Sequence, residues 1–119
     1  LQDDLARARD ILAAATPDSL IVLNEIFSAT SFRDAALLSR RLAARILALD
    51  LLCVWVTFVD ELASLGPQTV SMVSTVVPER PAERTFRVVR RPADGRAHAL
   101  AIAEKYRLTR DAILERIAS

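Results

Sequence analysis

The chain has 119 residues, enough for one domain or for part of one. Its 16 basic and 15 acidic side chains leave a net charge near +1, which predicts no strong overall attraction to nucleic acid or to acidic membranes. The single cysteine, Cys53, excludes a disulfide framework, fits a reducing cytoplasmic compartment and is expected to be a buried, unreactive thiol.

The chain is apolar for its size. Hydrophobic residues make up 52% of it, although a small soluble domain has a large surface to cover with polar groups. This excess predicts either a piece of a larger body or a protein that needs a partner. The start of the chain has no signal-peptide pattern, and the longest apolar run, residues 49–59, is too short to cross a bilayer. We therefore expect no membrane contact.

The predicted elements of the first half are a helix over 2–15, a strand over 19–23, a polar turn over 24–31, a helix over 32–49, a strand over 51–57 and a short helix over 60–65. The two longer helices are indicated by apolar residues at spacings of three and four. Ser31 and Asp34 give the second one a start that resembles a capping box. The strand over 51–57 is nearly all apolar, which predicts burial on both faces of a parallel sheet. Trp55 and Phe58 are expected in the core, since aromatic platforms that stack single-stranded nucleic acid need exposed rings with basic neighbours.

The predicted elements of the second half are strands over 69–77 and 84–90, a loop between them, a turn over 92–95, and helices over 96–106 and 110–118. The two strands predict an antiparallel pair. Thr109 is expected to cap the last helix, with Leu108 packed against Ile113.

This order of elements predicts an α/β fold, a partial three-layer sandwich with parallel core strands, an antiparallel strand pair and a C-terminal helical pair. Two strongly apolar strands do not complete such a sheet. Either the sheet is small, or strands are missing on its N-terminal side.

Residues 21–27 read IVLNEIF, an apolar run that ends in an amide and an acid. A buried parallel strand delivers such side chains to the carboxyl edge of a sheet, where ligands bind. In nucleotide hydrolases an acid at this place acts on magnesium or on the attacking water. Both residues also have a purely structural interpretation. Glu25 could cap the turn that follows the strand, and Asn24 could be a turn-forming residue with no role in metal binding. No GxxxxGK[ST] phosphate loop is present.

Residues 10–26 and 28–34 closely resemble the C-terminal ATPase domain of MutS-type DNA mismatch-repair proteins, which are ABC-class P-loop ATPases. Residues 57–62, the strand pair and the terminal helices extend the resemblance over essentially the whole chain. It implies a P-loop NTPase fold that begins inside the domain, just after the signature serine. Residues 1–95 would carry the Walker B, D-loop and switch regions, and residues 96–119 a helical pair that helps subunits dimerise.

The resemblance also implies roles for single residues. Leu20–Asn24 resembles the Walker B strand, and Glu25 the catalytic glutamate that orients or deprotonates water. Asn24 would support magnesium through a water molecule. The implied cofactor-binding residues are Asn24, Ser28, Thr30, Ser31, Thr57 and Phe58, of which the serines and Thr30 lie in the D-loop that crosses the dimer interface. The implied cofactors are ATP and magnesium, and the implied partners are a second copy and, through the rest of the parent protein, DNA.

Three departures from the family pattern predict a divergent member. Asn24 replaces an aspartate, Phe58 replaces a switch histidine that would hydrogen-bond phosphate, and Phe27 and Ala29 stand where the D-loop usually has glycine. Because the phosphate-binding lysine and backbone amides are absent, we expect this chain alone to be inactive.

Other interpretations belong to other functional classes. The chain could be a non-enzymatic dimerisation module derived from that ATPase, or its last two helices could form a DNA-reading helix-turn-helix. His98 is expected to be a packed or surface residue, since no second histidine or cysteine pair could complete a zinc site. Five arginines could make a basic edge, which alternation of strand faces would dilute: Arg84, Arg87, Arg90, Arg91 and Arg96.

Overall fold

The computed structural model describes residues 1–93 and 103–118. The chain divides into two compact units, Leu1–Thr69 and Val70–Ser119. The first contains a small parallel sheet with helices, and the second an antiparallel strand pair and a helix. The predicted mixed α/β class is therefore confirmed, together with both kinds of strand pairing.

The first unit is built in the order α1 (Gln2–Ala14), β1 (Leu20–Asn24), α2 (Phe32–Leu49), β2 (Leu52–Val56) and a short 3₁₀ helix (Asp60–Ser64). Strands β1 and β2 are parallel, and Leu20 is opposite Leu52 while Asn24 is opposite Val56. Parallel neighbours need a crossover, which α2 supplies. The strand ends on which the candidate site depends therefore lie side by side.

Both ends of helix α2 are set by identifiable residues, Ser31 at its start and Asp50 at its end. The Ser31 hydroxyl accepts a hydrogen bond from the backbone N–H of Asp34 at 3.2 Å, which confirms the predicted N-cap. The apolar stripe predicted for this helix consists of Leu38, Leu42, Ile46 and Leu49, of which the middle two are buried and the outer two half-buried. The helix ends at Asp50, whose φ of 55° places it in the left-handed region.

Both long helices pack on the same face of the sheet. Ala8 of α1 and Leu42 of α2 share one buried cluster with Ile21 and Leu23 of β1. Successive strand residues point to opposite faces, so Ile21 and Leu23 define the covered face of β1. The core of the first unit therefore lies on one side of the strands.

The opposite face of the sheet is apolar and exposed, contrary to the prediction that residues 51–57 are buried on both faces. Five aliphatic side chains on this bare face are between 52% and 74% exposed: Leu20, Val22, Leu52, Val54 and Val56. An apolar strand can be buried on both faces only where a second layer covers it. The described residues supply helices for one face only, which is why the prediction was wrong.

The second unit contains β3 (Met72–Val77), β4 (Arg80–Arg90) and α3 (Arg110–Ala118). The predicted loop over residues 78–83 was wrong, because β4 begins at Arg80 and only Pro78 and Glu79 connect the strands. The pairing shifts from Val76 opposite Arg84 to Val77 opposite Arg80. The extra residues of β4 at this shift include a proline, which has no N–H to donate to a regular ladder.

Helix α3 begins at its predicted cap, since the Thr109 hydroxyl accepts a hydrogen bond from the Ala112 N–H at 3.4 Å. Of the helix predicted over residues 96–106, residues 103–105 are helical and residues 96–102 lie outside the described part. His98, Arg96, the end of the predicted turn over 92–95 and the predicted division after residue 95 also lie outside it. No helix in residues 1–93 or 103–118 is long and apolar enough to cross a bilayer.

Candidate functional site

The carboxyl ends of β1 and β2 meet at one edge of the parallel sheet. Strand β1 ends at Asn24, and the backbone N–H of the next residue, Glu25, donates a hydrogen bond to the carbonyl of Val56 at 2.7 Å. This bond continues the pairing one residue beyond the strand. It holds Glu25 beside the start of the segment that contains Thr57 and Phe58, so the predicted catalytic residue and the predicted switch residues share one edge.

The backbone changes direction at Glu25, directly after the end of β1. Its φ is 51°, a left-handed conformation that is uncommon for residues other than glycine. The side chains of Asn24 and Glu25 are exposed, and neither makes a hydrogen bond or ion pair within the described residues. An amide and a carboxylate are therefore both available to water, or to a ligand, at this edge.

The loop after Glu25 is anchored by Phe27. Its side chain is 1% exposed, in the same buried cluster as Ile21 and Ala35, and its φ is 68°. Its backbone N–H donates a hydrogen bond to the Asp4 carboxylate at 3.2 Å. Asp4 lies in the first turn of α1, where an acid is favourable for any helix, and no spacing in the sequence links it to a loop 23 residues away.

The predicted D-loop residues have different surroundings. Ser28 is exposed and Thr30 is half-buried, and neither hydroxyl has a hydrogen-bond partner among the described residues. Ser31, by contrast, uses its hydroxyl oxygen to cap α2. Ser28 and Thr30 are therefore the free polar groups of this segment, whereas Ser31 fixes where the helix begins.

At the end of β2, the Thr57 hydroxyl accepts a hydrogen bond from the Val59 N–H at 3.0 Å and shapes the turn into the 3₁₀ helix. The prediction that Phe58 is a core residue was wrong. Its side chain is 43% exposed and contacts the ring of Phe32, with centroids 5.7 Å apart and a tilt of 39°. Val59 and Leu62 take the core positions instead.

Trp55 is half-buried and packs against both apolar clusters of the first unit. Its indole nitrogen Nε1 is buried and has no hydrogen-bond partner among the described residues.

Phe32 is the residue at this edge that the sequence did not predict, because its place as the first residue of α2 gives no sign of a contact with the end of β2. Phe32 and Phe58 therefore form an exposed aromatic pair near the end of β2.

The polar side chains at this edge are of the types that bind magnesium in proteins. One carboxylate and one amide suit a magnesium ion whose remaining ligands are water and phosphate. No group of three or more His, Cys, Asp or Glu side chains in residues 1–93 and 103–118 could hold a metal without such a substrate. The chain contains one lysine, Lys105, and the phosphate-cradling loop is missing from its sequence. The fit is therefore limited to the carboxylate of Glu25 and the amide of Asn24.

No protein-family model matches the chain, and no curated protein matches it.

Proposed function

We propose that this chain supplies the water-activating part of the ATPase domain of a MutS-like DNA mismatch-repair protein, an ABC-class P-loop ATPase. The observation that carries the proposal is the exposed Glu25 carboxylate, which directly follows a parallel strand and is held at the sheet edge by the bond to Val56. Ligands of open α/β sheets bind at this edge. An acid at such a place can orient the attacking water of a phosphoryl transfer.

The backbone of the D-loop segment gives separate support. Phe27 stands where the resembling family usually has glycine, and its φ of 68° is a conformation that glycine adopts without strain. A phenylalanine tolerates it here because its ring is buried in the core and its N–H is bonded to Asp4. The backbone of the loop thus has the positive φ that glycine adopts readily, although phenylalanine occupies the position.

The bare face of the sheet also agrees with the proposal. Parallel sheets are almost always covered on both faces. The five exposed aliphatic side chains of this face would be covered if further strands and helices of the same ATPase domain packed on it. The phosphate loop would belong to that further part.

In the intact site, magnesium-bound ATP would provide the reacting phosphate. Glu25 would accept the proton of the water whose oxygen bonds to the γ-phosphorus, while the bond from that phosphorus to the β–γ bridging oxygen breaks. Asn24 would hold a metal-bound water through its amide oxygen, without adding charge. Ser28 and Thr30 would face a second copy across the dimer interface, and DNA would bind elsewhere in a cytoplasmic parent protein.

The test is ATP hydrolysis by the complete gene product that carries these residues, compared with its Glu25→Gln variant. Loss of turnover with nucleotide binding retained is expected, because glutamine keeps the size but cannot take a proton. Glu79→Gln, at an exposed hairpin residue without an ion pair in the described residues, is the matched control and should leave turnover unchanged. Turnover that does not depend on Glu25, or its absence from the wild type, would reject the proposal.

A second candidate, a non-enzymatic interaction module, is favoured by the same bare face and by the exposed pair of Phe32 and Phe58. It predicts a gene product that never hydrolyses ATP and whose wild type and Glu25→Gln variant bind a partner protein equally well. Nucleotide binding measured with a fluorescent ATP analogue separates the two candidates, since only the ATPase needs it.

A further inference from the structure

The hairpin of the second unit contains a bulge that was absent from the sequence prediction. Ser74 is opposite Val88 and Val76 is opposite Arg84, so the three residues between Val88 and Arg84 face the single residue Thr75. The central one, Phe86, has a φ of 58°. Its side chain is 89% exposed, the largest exposed fraction among the large hydrophobic residues of the described part.

The bulge is fixed by its own hydrogen bonds. The hydroxyls of Thr75 and Thr85 bond to each other across the strands. The Thr85 hydroxyl oxygen also accepts from the Arg87 N–H at 3.1 Å. Bulges re-aim side chains, and this one projects an aromatic ring into solvent.

Exposing Phe86 brings the fold no evident gain. A left-handed backbone is strained for a residue other than glycine, and a ring in water gains no stability from burial. Strained residues that do not stabilise the fold cluster at ligand-binding sites, so Phe86 is a candidate ligand contact.

The charges around the ring indicate the ligand class. The residues from Met72 to Arg91 carry five arginines and two glutamates, which gives a local charge of +3 although the whole chain is near +1. Arg84 and Arg90 lie on one face of the hairpin, because they pair with Val76 and Met72, whose side chains share a face. Neither makes an ion pair within the described residues.

The spacing suits an extended polyanion. Val76 and Met72 are four residues apart, so their partners Arg84 and Arg90 stand about 13 Å apart along the strand direction. Phe86 lies between them in the sequence. Exposed aromatic rings between cationic side chains are how proteins hold single-stranded nucleic acids, with a base stacked on the ring and phosphates near the cations.

We propose that the bulged hairpin binds single-stranded nucleic acid, with one unpaired base stacked on Phe86 and the backbone phosphates beside Arg84 and Arg90. The bulge interrupts the strand alternation that was expected to dilute the arginines, and Arg84 and Arg90 share one face. This site is independent of Glu25, and it goes beyond the proposed ATPase.

The test is fluorescence anisotropy of the chain with a labelled oligothymidine of about 15 nucleotides and with a duplex of the same length. Preference for the single strand is expected. Phe86→Leu, which keeps an apolar side chain but removes the ring, should weaken single-strand binding roughly tenfold. Phe86→Gly relieves the backbone strain, folds at least as well as the wild type, and should lose binding to the same degree.

The charges are tested through salt. In Arg84→Gln combined with Arg90→Gln, the slope of log K against log salt should fall by about 1.4, the value for two phosphate contacts of a single strand. Arg41→Gln combined with Arg45→Gln, on the exposed face of α2, is the matched control and should not change the slope. Equal affinity for the duplex or for polyglutamate, or binding indifferent to Phe86→Leu, would overturn the proposal.

Discussion

The carboxylate of Asp4 accepts a hydrogen bond from the backbone N–H of Phe27 at 3.2 Å. This bond joins the first turn of α1 to the loop that follows Glu25. Because Phe27 is also buried in the core and left-handed in φ, the loop is held both by its side chain and by its backbone. The position of the Glu25 carboxylate therefore depends on how α1 docks, although α1 contributes no side chain to the edge itself.

Replacing Asp4 by alanine should lower the free energy of unfolding by about 1–2 kcal/mol, because a partly buried N–H then loses a charged acceptor. Urea unfolding followed by circular dichroism measures the loss. Asp4→Asn should recover most of it, since the amide oxygen can accept the same bond.

Asp3→Ala is the matched control for this experiment. Asp3 lies in the same first turn, is exposed and has no hydrogen-bond partner within the described residues. It should lose only its interaction with the helix dipole, about 0.3–1 kcal/mol. Equal losses at Asp3 and Asp4 would show that the bond to Phe27 does not stabilise the loop.

The local elements of the first unit could be predicted because each is determined by residues that are close together in the sequence. The cap at Ser31 and the buried stripe of Leu42 and Ile46 follow from spacing alone. The polar end of β1 at Asn24 and Glu25 follows from a switch in residue type. These features need no knowledge of the rest of the chain.

Features that depend on distant partners could not be predicted. Val54 and Val56 have the composition of doubly buried strand residues, but composition does not say whether a covering layer exists. The bulge at Phe86 depends on which residues of β3 pair with which of β4, and no turn or glycine marks it. Asp4 reaches Phe27 only after α1 has packed on the sheet.

Replacing Asp50 by glycine should stabilise the protein. Asp50 is exposed and ends α2 with a φ of 55°, where glycine avoids a strain of about 1–2 kcal/mol. Removing a negative charge from the carboxyl end of a helix adds a smaller gain. Thermal unfolding should show a higher Tm.

Ala44→Gly is the matched control, at an exposed interior position of the same helix. It should lower the free energy of unfolding by about 1 kcal/mol. Stabilisation by glycine at both sites would refute the argument from φ.

Polar substitutions on the bare face should improve solubility at little cost in stability. Val22→Thr combined with Val54→Thr changes two side chains that are more than half exposed, so little burial is lost. Exposed apolar patches promote association, and light scattering of the chain should fall in this variant. Leu23→Ala, on the covered face of the same strand, should cost about 2–5 kcal/mol. A similar loss of stability in both variants would mean that the bare face is covered in solution.

Alkaline pH should destabilise the protein partly through Cys53. Burial raises the pKa of this thiol above its ordinary value of 9.0, because desolvation disfavours the thiolate. The folded state therefore holds the proton more tightly than the unfolded state does. The resulting stability is fully present below the unfolded pKa and is lost as pH rises through the folded pKa.

Urea unfolding between neutral pH and about pH 10 measures this effect as a difference between the wild type and Cys53→Ala. The variant should be less stable at neutral pH, because a packed side chain is removed, but should lose less stability as pH rises. The thiol should also react with a disulfide reagent more slowly in the folded chain than in urea, since the thiolate is the nucleophile. Parallel pH profiles for the two proteins would mean that the thiol titrates alike in both states and that its partial burial has no consequence.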